Sequence, residues 1–145
     1  MLKKLQDLMS SSNTHENDME KDVRLAAAAL LIEVARADFE RTSEEDKALA
    51  THVEKFLHLS SGEVMALISN ATDKVDSATS LYEFTSLINA HYTSNQKFSL
   101  LSSMWHIAHA DGNIDRYEEH IIRRVAELTH LSHSDYIKAK LSVQK

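Results

Sequence analysis

The segment Ala108-His-Ala-Asp-Gly-Asn-Ile-Asp-Arg-Tyr-Glu118 matches an earlier one, Ala35-Arg-Ala-Asp-Phe-Glu-Arg-Thr-Ser-Glu-Glu45, without a gap at an offset of 73 residues. Downstream, Val53-Glu-Lys-Phe-Leu-His-Leu-Ser60 matches Val125-Ala-Glu-Leu-Thr-His-Leu-Ser132 at an offset of 72. One residue is therefore gained or lost within the intervening helix. Self-similarity at a fixed spacing is typical of an internal structural repeat. We expect two helix-loop-helix units related by pseudo-symmetry.

The composition predicts an all-α fold. The chain has 145 residues, no proline and only two glycines, which disfavours β-turns and suits helices. A residue that can cap a helix N-terminus is followed three positions later by an acidic or amide residue at five places. These pairs are Thr42/Glu45, Ser60/Glu63, Thr93/Gln96, Asp115/Glu118 and Ser132/Asp135.

The 3.6-residue apolar period predicts a single compact bundle of about seven to eight helices. Residues 1–17 are expected to form a short N-terminal helix or arm and a flexible linker, the linker being 10–17, and residues 18–145 to form the helical domain. The second helix is apolar almost all round from Ala26 to Ala35, as expected of a central buried helix. The predicted helices are 2–9, 18–37, 43–57, 61–73, 77–91, 94–110, 116–129 and 133–143.

One core face is predicted for each of three helices, from residues that recur at helical spacing. These residues are Leu30, Val34 and Ala37, then Leu49, Val53 and Phe56, then Leu101, Met104, Trp105 and Ala108.

Several functional classes are disfavoured by the composition. The absence of cysteine excludes disulfides, thiolate zinc sites and cysteine nucleophiles. A net charge of −6 and no evident basic face argue against nucleic-acid binding. Neither a signal peptide nor an apolar run long enough for a bilayer is found, so we expect a cytoplasmic protein without membrane insertion. No GxSxG, HExxH or glycine-rich phosphate loop occurs, so we do not expect an enzyme.

The segment that begins at Asp111 has the odd-position oxygen spacing of an EF-hand loop, with Asp111, Asn113 and Asp115 at its first, third and fifth positions. The sixth position, which needs glycine, is Arg116, and the twelfth, which needs a bidentate Glu, is Ile122. A helix is also predicted to begin near Asp115. The EF-hand interpretation is therefore rejected.

Two interpretations of the acidic turns remain open. In the first, the turns hold a hard divalent cation such as calcium or magnesium through carboxylate and amide oxygens. In the second, Asp115/Glu118 and Thr42/Glu45 are capping boxes that need no ion, which leaves Asp111 and Asp38 unexplained. The candidate ligands are Asp111, Asn113, Asp115 and Glu118 in the second turn, and Asp38, Glu40, Thr42 and Glu45 in the first.

Three of the nine histidines could form a transition-metal site, because His106 and His109 share a helix face and His120 lies beyond the loop. The same face carries serines and lies off the Leu101/Trp105 stripe. This placement favours ordinary exposed histidines.

The paired motifs Ala37-Asp-Phe-Glu40 with Glu44-Glu45, and Ala110-Asp-Gly-Asn-Ile-Asp115 with Glu118-Glu119, resemble the TerB family of tellurite-resistance proteins. The resemblance covers about residues 20–142, and the stretch from Leu81 to Ala126 is similar to a TerB-like group of bacterial, specifically proteobacterial, proteins. It implies about seven helices, no established enzymatic reaction and two acidic clusters that bind divalent cations. The cluster positions carried over are Asp38, Glu40 and Glu45, then Asp111, Asp115 and Glu118.

The resemblance also implies a role in tellurite, metal or stress response, with a protein partner such as the integral membrane protein TerC. The exposed apolar residues of the first helix are a candidate docking or homodimer element. The first repeat departs from the second, since Phe39 replaces Gly112 and Thr42 replaces Asp115. If only one turn binds metal, we therefore expect it to be the second.

Overall fold

The computed structural model describes residues 2–37, 43–78, 80–110 and 114–143, with the side chains of 2–18 and 43–46 left aside. Seven α-helices and no strand are found in these ranges, which confirms the all-helical prediction. The helices are α1 (Leu2–Arg36), α2 (Ser43–Leu57), α3 (Ser61–Ser77), α4 (Tyr82–His91), α5 (Ser94–Ala108), α6 (Arg116–Leu128) and α7 (His133–Val143).

The predicted linker at 10–17 is wrong, because α1 continues through it as one helix of 35 residues. That stretch, SSSNTHEN, contains weak helix formers but no glycine or proline, so each residue costs only a few tenths of a kcal/mol in a helix. The division of the chain at residue 17 into an arm and a domain stays a prediction.

The predicted boundary between the third and fourth elements also moves. α3 runs four residues further than expected, to Ser77, and α4 begins at Tyr82 rather than near residue 77. Val75 packs against the core, and Asp76 forms an ion pair of 2.6 Å with Arg36 at the end of α1. These two contacts give the last turn of α3 a place on α1 that helix propensity alone does not reveal.

The core is built around the second half of α1. Every residue from Ala26 to Ala35 except Glu33 is at most 2% exposed. Four consecutive alanines in this stretch allow close approach of the surrounding helices, and α1 contacts α2, α3, α4, α5 and α6. The predicted central helix is confirmed, and the predicted core residues on α1, α2 and α5 are buried apart from Ala37 and Phe56, which are partly exposed.

The internal repeat is structural. α2 and α6 begin 73 residues apart and α3 and α7 begin 72 apart, so the single residue is lost between these points, as the sequence predicts. The packing repeats as well, since α1 lies against α3 much as α5 lies against α7. Contacts between the units are reciprocal, because α2 touches α5 and α6 touches α1. α4 connects the two units.

The His-Leu-Ser sequence shared by both units forms the corner that follows α2 and α6. His58 and His130 have φ values of 55° and 63°, in the left-handed region. The N–H of Leu59 donates to the Glu54 carbonyl at 3.1 Å, and that of Leu131 donates to the Ala126 carbonyl at 3.0 Å. This is the hydrogen bond of a Schellman motif, which ends a helix through a left-handed residue.

The serine of each corner then begins the next helix. The Ser60 hydroxyl accepts a hydrogen bond from the Glu63 N–H at 3.4 Å, and the Ser132 hydroxyl accepts one from the Asp135 N–H at 3.1 Å. A side chain on α4 also binds the end of α6, since Asn89 Nδ2 donates to the Leu128 carbonyl at 2.8 Å. The shared His-Leu-Ser sequence therefore ends one helix and begins the next within three residues.

Replacing His130 by glycine should raise the free energy of unfolding by up to about 1 kcal/mol, because a side chain in the left-handed region carries a steric cost that glycine lacks. The same change at His120, which lies inside α6, should lower it by a few tenths of a kcal/mol. Urea denaturation of the two variants measures both effects. Equal destabilisation by the two changes would contradict the role assigned to the corner.

Candidate functional site

The two predicted acidic turns lie at equivalent places, between α1 and α2 and between α5 and α6. Among the predicted ligands, Asp38, Glu40, Thr42, Asp111 and Asn113 lie outside the described residues. Glu45 lies in α2, but its side chain is also outside the description. The structure therefore brings together two predicted ligands, Asp115 and Glu118.

Asp115 and Glu118 form the capping box that the sequence predicts for α6. Asp115 Oδ1 accepts a hydrogen bond from the Tyr117 N–H at 2.8 Å, and Glu118 Oε1 accepts one from the Asp115 N–H at 3.0 Å. The two carboxylates satisfy backbone donors that a helix start leaves free, and their charge favours the positive end of the helix dipole. The capping interpretation is thus confirmed for these two residues.

Glu118 is more deeply buried than the residues that hold the same position at the starts of α3 and α5. Its side chain is fully buried, at 0% exposure. Gln96 holds the same position in the capping box of α5 and is exposed, as is Glu63 at the start of α3. A capping side chain can accept its hydrogen bond while it faces solvent. Burying a carboxylate, in contrast, is costly unless charge or hydrogen bonds compensate it. Its burial therefore distinguishes Glu118 from Gln96 and Glu63.

The next residue, Glu119, ties α6 to α7. Its carboxylate lies 3.2 Å from Lys140 Nζ and 3.7 Å from the Arg123 guanidinium. Lys140 also lies over the Trp105 ring, 5.4 Å from its centroid. These contacts lie on the outer face of α6, whereas Glu118 is buried.

The described residues contain no group of three or more histidines, aspartates and glutamates arranged to hold a metal. His106 is exposed, as predicted, whereas His109 is half-buried, and its Nδ1 is buried without a hydrogen bond in the described part of the chain. The prediction of an ordinary exposed histidine is therefore wrong for His109. His109 is the C-cap residue of α5.

A histidine pair that the sequence did not predict joins α2 to α5. The rings of His52 and His106 stack with centroids 4.8 Å apart and planes 15° from parallel. Burial, together with the smaller effects of the nearby His106 and Lys55, lowers the pKa of His52 to about 4. The pKa of His106 is lowered by burial and then by Lys55 and His109. The sequence gives no indication of this pair, because His52 and His106 do not occupy equivalent positions in the two repeats.

The His52 pKa predicts a pH dependence of stability. Between its unfolded value of 6.5 and its folded value of about 4, the unfolded chain binds more protons than the folded one. Stability should therefore be complete above about pH 6.5 and fall as the pH falls towards 4. Denaturation at pH 7.5 and at pH 5 measures the decline.

His52→Phe keeps a ring at the stack and removes the titrating group, so its decline should be smaller than that of the wild type. His91→Gln, an exposed position at the end of α4, is the control and should keep the wild-type decline. An unchanged decline in His52→Phe would contradict the assignment.

Removing the α6 cap should cost stability whether or not an ion binds. Asp115→Ala is expected to lower the free energy of unfolding by about 1 kcal/mol. Thr93→Ala removes the matching cap of α5, where Thr93 Oγ1 accepts from the Gln96 N–H at 3.2 Å, and should cost a similar amount. Thermal or urea denaturation without divalent cations compares the two, and no loss in Asp115→Ala would contradict the cap.

No helix within the described ranges combines the length and apolarity needed to cross a membrane. The seven helices, the doubled unit and the paired acidic turns define a small all-helical protein built from an internal duplication. The family model described as "Tellurite resistance protein TerB" matches residues 24–141. The chain therefore belongs to the TerB family, as the doubled motif predicts. No curated protein and no solved structure shows detectable similarity to it.

Proposed function

We propose that the chain is a non-enzymatic TerB module whose acidic turn between α5 and α6 binds a divalent cation, calcium or magnesium, in tellurite, metal or stress response. The ligands would come from Asp111, Asn113, Asp115 and Glu118. In this role the module docks onto a protein partner, which by family resemblance would be TerC-like and membrane-associated. The homologous turn, with Asp38, Glu40 and Glu45, would be the weaker site.

The full burial of Glu118 is the observation that supports the proposal. Hard cations take oxygen ligands, and a bound cation offsets part of the cost of burying a carboxylate. Glu118 lies at the start of α6, directly after a turn that offers two further candidate ligands, Asp111 and Asn113. A carboxylate held below the surface beside such a turn is suited to the inner side of an ion site.

The chain itself gives a reason to prefer the second turn. Between α5 and α6 the sequence has Gly112 and Asp115, where the first turn has Phe39 and Thr42. Asp115 adds a carboxylate that the first turn lacks at the matching position. Its Oδ1 is held in place by the Tyr117 N–H, which reduces the entropy lost when an ion binds.

A second function has its own supporting observation. The complete capping box of Asp115 and Glu118 provides hydrogen-bond acceptors for backbone N–H groups at the start of α6 without an ion. In that case the chain is a purely structural protein–protein interaction domain that binds no metal and recognises another helix through an apolar groove. The two proposals differ in one measurable property, which is cation binding.

Isothermal titration calorimetry with calcium, magnesium, manganese and zinc separates them. Under the cation proposal the wild type binds at least one of these ions, and Asp111→Ala abolishes or greatly weakens binding. Asp111 is the sharpest position because it belongs to neither capping box, so its loss should leave the helix start intact. Absence of binding heat at millimolar ion would refute the cation proposal and favour the structural domain.

Asp73→Ala is the matched control, because Asp73 is an exposed aspartate on α3 that belongs to neither turn in the sequence. It should keep the wild-type affinity. Glu118→Gln keeps the shape of the side chain and one capping acceptor but removes the charge, so it should weaken the ion by at least about tenfold. Equal affinity in wild type and Glu118→Gln would exclude Glu118 as a ligand.

A further inference from the structure

The corner between α6 and α7 encloses a surface cavity of about 320 Å³. Residues from the last turns of α6, the connecting loop and the first turn of α7 line it. Its volume falls at the lower end of the range for small-molecule sites. Its polar wall residues include Arg123, Ser132, His133 and Tyr136.

Tyr136 is the most deeply buried polar residue of the cavity wall. The residue is only 3% exposed, and its hydroxyl is buried without a hydrogen bond in the described part of the chain. The ring is held on three sides: by Trp105, by His133 with centroids 6.0 Å apart, and by the Arg123 guanidinium 5.6 Å from the ring centroid. A buried hydroxyl normally has a partner, so this one stands ready to donate.

Arg123 is the nearest cationic group to that hydroxyl. Hydrogen bonding to the phenol of Tyr136 is the main cause that raises the pKa of the guanidinium, although the two groups do not reach the length and angle of a well-formed hydrogen bond. The guanidinium is more than half exposed and contacts Glu119 at 3.7 Å. Arginine presents several N–H donors in a plane that matches an oxyanion, and most of these donors face solvent here.

The start of α7 adds backbone donors to the same cavity. The Ser132 hydroxyl accepts from the Asp135 N–H and the Ser132 carbonyl from the Tyr136 N–H. The first two N–H groups of the helix, those of His133 and Ser134, are left for other acceptors. The N-terminus of a helix carries partial positive charge and favours an anion.

Two carboxylates oppose an anion at this corner. Glu127 is part of the cavity wall, and Asp135 lies in the first turn of α7. Glu127 lies 3.5 Å from Arg124, which offsets its charge. The local balance therefore permits a small anion and disfavours a large, highly charged one.

The homologous corner in the first unit shows which residues the fold itself requires. It has the same His-Leu-Ser sequence, the same Schellman hydrogen bond and the same serine cap. At the positions of Arg123, His133 and Tyr136, 72 residues earlier, it has Thr51, Ser61 and Val64. The corner therefore forms without these three donors, and their presence in the second unit calls for another explanation.

We propose that the α6–α7 corner binds a phosphate-type oxyanion, held by the Tyr136 hydroxyl, the Arg123 guanidinium, His133 and the first N–H groups of α7. The ligand is inorganic phosphate or a small phosphate monoester, which a cavity of about 320 Å³ accommodates. Binding gives the buried hydroxyl an acceptor and uses the exposed N–H groups of Arg123. The site is independent of the cation turn.

The test is a titration of the full chain with inorganic phosphate and, separately, with glycerol 3-phosphate, followed by amide chemical shifts. Ionic strength is fixed with chloride, and no divalent cation is present, so the result does not depend on the proposed cation site. Saturable shifts at His133 and Ser134 are expected. Binding of phosphate alone identifies the free ion as the ligand, and tighter binding of the ester identifies a monoester.

Tyr136→Phe removes one oxygen and leaves the aromatic packing, so it should fold as the wild type and bind at least about tenfold more weakly. Arg123→Ala should weaken binding as much, while Arg116→Ala, at an exposed arginine at the start of α6 outside the cavity wall, should stay within about twofold. No saturable binding at tens of millimolar, full affinity in Tyr136→Phe, or equal loss in both arginine variants would each overturn the proposal.

Discussion

The burial of α1 between Ala26 and Ala35 determines how the other helices are arranged. This stretch is apolar on nearly all sides, so it is stable only when other helices surround it. Its small residues let those helices approach closely, and five of the other six contact it. Each acidic turn is placed by this packing, because one leads out of α1 and the other out of α5, which lies against it.

Much of this arrangement could be predicted from sequence because its signals are local. Ser60, Thr93, Asp115 and Ser132 begin helices, and each does so through contacts within three residues. The apolar period on α5 identified Leu101, Met104, Trp105 and Ala108, all of which are buried. The shared His-Leu-Ser letters predicted a repeat, and the structure adds the reason, a left-handed histidine that ends one helix beside a serine that begins the next.

What could not be predicted depends on contacts between distant residues. The stacking of His52 on His106 needs α2 beside α5, and the full burial of Glu118 needs the packing of α6 against the core. The ion pair of Arg36 with Asp76 lies in the last turn of α3, past the end that the sequence predicts. The continuity of α1 through residues 10–17 is a different case. Polar residues of weak helix propensity are compatible with a helix or with a linker, and here no glycine or proline decides between the two.

Capping hydrogen bonds account for the positions of Asp115 and Glu118. The burial of Glu118 and the oxygen-rich turn before it support a bound cation. Crystals grown with manganese, recorded at a wavelength where manganese scatters anomalously, test this central claim most directly. An anomalous peak is expected at the turn between α5 and α6, with carboxylate oxygens of Asp111 and Glu118 in its coordination shell. A well-ordered turn without a peak, with Asp115 and Glu118 only in their capping hydrogen bonds, would contradict it.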